Sequence, residues 1–229
     1  MKKILTLALV LALGSSCLMA KKVKKFEGII SYSVEMSGDP SITSSMDMLP
    51  AGMLTAVFKT KGQYSMMSIM GQKTFLDAKK GIITSLIDMS MLGMGSYCME
   101  NPYDAGTQDQ QKNVFTGETK TICGYKAEKI KMGETDGTAI EVWVTREIAI
   151  EAGVPMLIGL EGFIPLQFDI QSNASGLGEI KITLTAKEIK QQKVPTDDLV
   201  PPKDCQKIKP EELNTMLQQI QNFGSDFEE

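Results

Sequence analysis

Methionine is the residue type whose number and spacing first suggest chemistry. Of sixteen methionines, fourteen lie beyond residue 20, and eleven of those fall between Met36 and Met99. Met46/Met48 and Met89/Met91 have the MxM spacing that places two thioethers on one strand face. Soft sulfur ligands select Cu(I), so one reading is an exported copper-binding protein. A second is an adaptable apolar lining, because unbranched polarizable side chains fill irregular space. A third is plain core filling. Two features weigh against copper: no histidine accompanies the sulfurs, and the adjacent Met66 and Met67 must point to opposite faces of a strand.

The chain contains no histidine at all. That removes Ser-His-Asp and Cys-His catalysis, imidazole metal sites and histidine acid–base chemistry. Asp197 and Asp198 follow Pro195 in a linker-like stretch, and Glu27, Glu141 and Glu147 sit in or beside strand patterns where a solvated face is the ordinary reading. Paired-carboxylate glycoside hydrolysis needs two converging acids, usually among several aromatics. With Trp143 as the one tryptophan, that setting is missing. Gly176-Leu177-Gly178 reads as a turn rather than a phosphate loop. The expectation is a protein that is not an enzyme and uses no cofactor or metal.

Cys98, Cys123 and Cys205 show no CxxC spacing, which leaves redox and zinc motifs unsupported. In an oxidising compartment one pair can close and leave one thiol over, but the sequence does not choose the pair. The N-terminus points to such a compartment. Lys2 and Lys3 precede an apolar run from Ile4 to Leu13, followed by Gly14, Ser15 and Ser16, the layout of a cleaved secretory signal. Cleavage after Ala20 would free Lys21; the competing reading acylates Cys17, although Gly14 stands where a lipobox has leucine. Removing the signal leaves 22 basic and 28 acidic residues, a net charge of −6, which excludes a nucleic-acid partner. No later run approaches the ~18 apolar residues of a membrane helix. Lys21, Lys22, Lys24 and Lys25 could still attach the N-terminus to an anionic leaflet.

The elements that must position these residues read as strands between glycine turns. In 26–36, Ile30, Tyr32, Val34 and Met36 share one face opposite Ser31, Ser33 and Glu35, a half-buried antiparallel strand. The spacing predicts a meander over 54–61, 63–70, 73–78 and 82–89, with no room for crossover helices. Residues 90–118 read as an excursion with little regular structure. Strands resume at 120–132 and 138–145, joined through Asp136-Gly137, and end with 163–171 and 179–193. A short helix is expected within 41–52, a helical turn at 146–152, and a helix at 211–223, where Leu213, Met216, Leu217 and Ile220 have helical spacing. The expected division is a signal over 1–20, a curved β-sheet domain over 21–200, and a C-terminal helix and polar tail over 201–229.

Four local features carry a family resemblance. Phe26-Glu27-Gly28-Ile29-Ile30-Ser31-Tyr32 resembles the opening "FEGxIxY" motif of the domain of unknown function 4412 family, secreted Bacteroidetes proteins. Thr119 to Lys129, with Ile122, Gly124 and Tyr125, is similar to its "ktIxGYkxxk" signature. Ile140 to Thr145 resembles "xxVWvT", and Gly162 to Leu166 resembles "GxPLxf". Members often carry a cysteine two residues after the GY pair; here that place is Ala127. The resemblance implies an α+β, mostly-β fold like the periplasmic lipoprotein carrier LolA: a curved antiparallel half-barrel with helices against its concave face. Relatives of that carrier hold acyl chains or apolar peptides in the hollow.

The expected function is therefore non-catalytic binding, in the cell envelope, of a lipid, acyl chain or lipidated partner. The residues expected to line the hollow are Tyr32, Met36, Met66, Met70, Ile87, Met89, Met91, Trp143 and Phe168. A self-filled structural or interaction protein is the first alternative, and the Cu(I) protein the second.

Overall fold

In a computed structural model, the described residues are 24–38, 54–89, 94–103, 113–135, 138–174, 178–213 and 215–216, with the side chains of 133–139 and 171–180 excepted. The expected signal, Cys17, Met91 and the helix within 41–52 lie outside them.

The described strands are β1 (Lys24–Lys25), β2 (Gly28–Gly38), β3 (Ala56–Lys61), β4 (Tyr64–Ile69), β5 (Gln72–Asp77), β6 (Ile82–Asp88), β7 (Ser96–Pro102), β8 (Val114–Ile122), β9 (Tyr125–Thr135), β10 (Thr138–Thr145), β11 (Ile148–Ala149), β12 (Ile164–Ala174), β13 (Gly178–Gln191) and β14 (Gln206–Lys207). Twelve of them form one sheet in the order β14-β7-β6-β5-β4-β3-β2-β13-β12-β10-β9-β8. All neighbours are antiparallel except β14 and β7. The fold class is the expected one: mostly β, a curved sheet left open between β8 and β14.

The meander forms because each connection is too short for anything but a hairpin. Lys61 pairs with Tyr64 and Ile69 with Gln72, leaving two-residue loops. In the second loop Met70 and Gly71 both have positive φ, 50° and 86°, as a type I′ turn requires. Cys123 and Gly124, at 51° and 81°, repeat that turn between β8 and β9. The glycine of the FEG motif has a packing reason. A Cβ on Gly28 would meet the Lys190 carbonyl oxygen at 2.1 Å, so only glycine lets β2 lie this close to β13.

Two expectations change, and a third lies mostly outside the described residues. Residues 90–118 contain β7 and the start of β8. The helical turn expected at 146–152 is instead β11, which pairs in parallel with β1. The helix expected at 211–223 is described only at its start, residues 210–213 and 215–216.

One face of the sheet carries the main core. Ile30, Tyr32, Phe58, Met67, Ile130, Val142, Phe168 and Leu184 are buried there together with Ile148, Ile150, Val154, Leu157 and Leu160. The last five come from β11 and the irregular segment that follows it.

Candidate functional site

Residues 150–163 cover the sheet face that carries Tyr32 and Phe168, two of the residues expected to line a hollow. Two tight turns, from Leu157 N to Val154 O (2.9 Å) and from Leu160 N to Leu157 O (3.2 Å), fold the segment on itself. Ala152 N donates to Gly62 O at 3.0 Å and Ser65 Oγ to Gly153 O at 2.7 Å. Tyr103, at the end of β7, donates its hydroxyl to Glu161, and Asn113, just before β8, donates Nδ2 to Gly159 O at 2.9 Å. Residues flanking the two opposite ends of the open sheet are thus tied to one plug. A Cβ on Gly153 would stand 2.6 Å from the Tyr103 hydroxyl, so glycine is required for that clamp to seat.

The plug is costly to move. Ile150, Val154, Leu157 and Leu160 are all buried, and full burial of one such side chain contributes about 1.5–3 kcal/mol. Displacing the four therefore costs roughly 6–12 kcal/mol as an upper estimate. A whole domain is typically stable by about 5–15 kcal/mol. The plug belongs to the fold rather than to a lid.

The residues expected to line the hollow do not share one surface. Tyr32 and Phe168 do meet, edge to face with centroids 5.9 Å apart, but inside the closed core. The Tyr32 hydroxyl donates to Pro165 O at 2.9 Å, and burial pushes its pKa far above the usual tyrosine value. Met36 lies further along the same strand, half-buried and paired with Ile182. Ile87 is half-buried opposite Tyr97, and Met89 is buried just past β6. Met70 occupies a hairpin tip. Met66 points to the opposite face from Met67, against Phe75, Val194 and Leu199.

Trp143 also lies on the opposite face, paired across β9 with Lys129. Lys120 Nζ stands 4.1 Å from its ring centroid and donates to Gln167 Oε1. Burial, reinforced by the Lys129 charge, holds the Lys120 ammonium below the ordinary lysine pKa. Hydrogen bonding to Glu141 raises Lys129 and lowers Glu141 in turn. This is a charged face, not an apolar one.

Of the three described cysteines, Cys98 and Cys205 form a disulfide with Cα atoms 5.6 Å apart, and Cys123 is free. The bond fixes a strap, residues 194–208, across the face opposite the plug. Val194 and Leu199 pack on Met66 and Phe75. Lys59 pairs with Asp198 at 2.8 Å. Gln206 and Lys207 pair with Tyr97 and Cys98, and Lys207 reaches Glu100 at 2.8 Å.

Between these anchors the strap leaves a groove of about 330 Å³, lined by Val57, Lys59, Met66, Ser68, Lys73, Phe75, Leu86, Asp197, Asp198, Val200 and Pro202. Its floor is set by register. Val57, Ser68, Lys73 and Leu86 form one row across β3–β6, and Lys59, Met66 and Phe75 form the adjacent row. At about 4.8 Å between strands and about 3.4 Å per residue, the floor measures roughly 14 by 7 Å. The sequence reading anticipated only Met66 of these residues. The rest needed strand register and the return of a C-terminal segment over the sheet.

Among the described residues no His, Cys, Asp or Glu cluster could hold a metal ion, and no helix is long and apolar enough to cross a membrane. Of the described methionines, Met67 and Met132 are buried in the core on one face and Met66 on the other, whereas Met156 is exposed; Met46, Met48 and Met91 lie outside the described residues.

No protein-family model matches the chain, and no curated protein matches it. Among solved structures it is similar to PNGF-II in two crystal forms. The P21 form gives a TM-score of 0.52 at 13% identity, covering 84% of this chain and 34% of that one. The C2 form gives 0.52 at 12% identity, covering 84% and 33%. The chain thus spans about a third of the length of the PNGF-II chains it matches, and the likeness is one of fold. A LolA superfamily protein from Nitrosomonas europaea is also similar, covering 77% of this chain and 91% of its own at 9% identity, with a TM-score of 0.33. At that score it carries no argument about this chain.

Proposed function

We propose that the protein is an exported, non-catalytic binding module of the cell envelope, related to the secreted family that its FEG, GY and VW motifs resemble. It takes an apolar ligand, a lipid or an acyl chain, in the groove beneath the C-terminal strap. The observation that carries this reading is the groove itself. Met66, Phe75, Leu86, Val57, Val200 and Pro202 supply apolar walls, and about 330 Å³ is the lower end of the range of ligand pockets. The seat differs from the hollow expected from the sequence because residues 150–163 already cover Tyr32 and Phe168, which were expected to line it.

A second reading, a structural or interaction protein with a self-filled core, draws support from the same plug. Native mass spectrometry of the full chain, isolated from its source without detergent, separates the two. The binding reading expects an adduct of lipid mass that is lost in Leu86→Gln. A bare mass under gentle conditions would leave the self-filled scaffold.

A further inference from the structure

Four charged residues line the groove, and they are not equivalent. Lys59 and Asp198 neutralise one another at 2.8 Å. Lys73 and Asp197 line the same groove and have no ion-pair or hydrogen-bonding partner for their side chains among the described residues. They approach from different walls. Lys73 rises from the sheet, in the row with Val57, Ser68 and Leu86. Asp197 descends from the 3₁₀ turn Thr196–Leu199 of the strap. Both are exposed, so each is open to whatever enters the groove.

Resting on the apolar-ligand reading above, we infer that the ligand is a single-chain amphiphile with a zwitterionic head, of the phosphate-plus-ammonium class. An anionic head would satisfy Lys73 and face the Asp197 carboxylate; a cationic head would satisfy Asp197 and face the Lys73 ammonium. A head carrying both signs meets both walls. The phosphate accepts charge-assisted hydrogen bonds from Lys73 Nζ, and the ammonium lies against Asp197. The chain lies along Val57, Met66, Phe75 and Leu86. The groove's volume, at the small end of ligand sites, takes one chain rather than two.

The test is calorimetric titration of the full chain with three twelve-carbon probes, each below its micelle-forming concentration: dodecylphosphocholine, dodecyl sulfate and dodecyltrimethylammonium. Two solvent-accessible charge contacts predict that the zwitterion binds about fivefold tighter than either singly charged probe. Lys73→Gln should erase that margin and favour the cationic probe, and Asp197→Asn should erase it and favour the anionic one. Both side chains are exposed and have no partner among the described residues, so folding should be unchanged, as circular dichroism would check. If all three probes bind alike and neither substitution changes their order, the groove holds an apolar chain and the zwitterion inference falls. If none binds, the apolar-ligand reading falls with it.

Discussion

Removing the Cys98–Cys205 bond tests whether the strap belongs to the cooperative fold. The bond closes a loop of 107 residues. In the chain-entropy account, a loop near 100 residues confers about 4.7 kcal/mol, and measured values are more often about 2–4 kcal/mol. The measured range is the better guide, and the β14–β7 pairing and the Lys59–Asp198 and Lys207–Glu100 ion pairs keep the strap seated once the sulfurs separate, so the loss falls on the unfolded chain. Cys98→Ala with Cys205→Ala should therefore cost about 3 kcal/mol. With a urea slope of about 2–3 kcal/mol/M, the midpoint should fall by roughly 1–1.5 M. Trp143 fluorescence is the natural probe, since Trp143 lies on β10, far from the strap in strand order, and reports unfolding of the whole sheet. Wild type reduced with a strong dithiol is the control for the small void that alanine leaves beside buried Cys98. Below about 1 kcal/mol with an unchanged slope, the strap would be an appendage that unfolds on its own, and a groove it walls could not be a stable site.

Two further outcomes follow from particular side chains. Tyr32 is held neutral by burial, so its folded-state pKa lies above the unfolded value of about 10. Its contribution is complete below that pH and is lost as pH rises beyond it, by up to about 1.4 kcal/mol per pH unit. Urea midpoints measured on either side of pH 10 should show a steep alkaline loss that Tyr32→Phe reduces; an identical slope in the variant would show that Tyr32 is not the titrating group. Cys123 holds φ at 51° in a type I′ turn that favours Asn-Gly. Cys123→Asn should stabilise by about 0.5 kcal/mol in thermal or urea denaturation. A loss above about 1 kcal/mol would mean that the packing of Cys123 against the core outweighs its backbone strain.

Local pattern made much of the sheet legible. The alternation of Ile30, Tyr32, Val34 and Met36 set one face of β2, and the glycine turns after Lys61 and Met70 set the meander. β7 was hidden because Ser96-Tyr97-Cys98-Met99-Glu100-Asn101-Pro102 lacks clean period-two alternation. Its extended state is imposed by β6 on one side and by β14 and the disulfide on the other. The plug was hidden for a related reason. Gly153, Pro155, Gly159 and Gly162 break any periodicity, so the burial of Val154, Leu157 and Leu160 comes from the sheet they land on. The groove was the least visible feature. Val57, Ser68, Lys73 and Leu86 become neighbours only once three hairpin registers are fixed, and nothing in the strap sequence specifies the face it crosses.

The adjacent Met66 and Met67 mark a part of the sheet with two different covers. Alternation sends Met67 under the plug and Met66 under the strap, and both are buried, so this part of the sheet is covered on both faces. The covers differ in how they are held. The plug buries four aliphatic side chains and is tied by Tyr103 and Asn113 at residues flanking both sheet edges. The strap buries Val194 and Leu199 against the floor, with Ile208 beyond the disulfide, and relies on a crosslink and exposed ion pairs for the rest. On area alone, freeing the stretch around Val194 and Leu199 costs roughly 3–6 kcal/mol against 6–12 for the plug. The disulfide limits how far that stretch can travel without adding to the cost of a small outward shift. Moving the stretch around Val194 and Leu199 is therefore cheaper than displacing the plug.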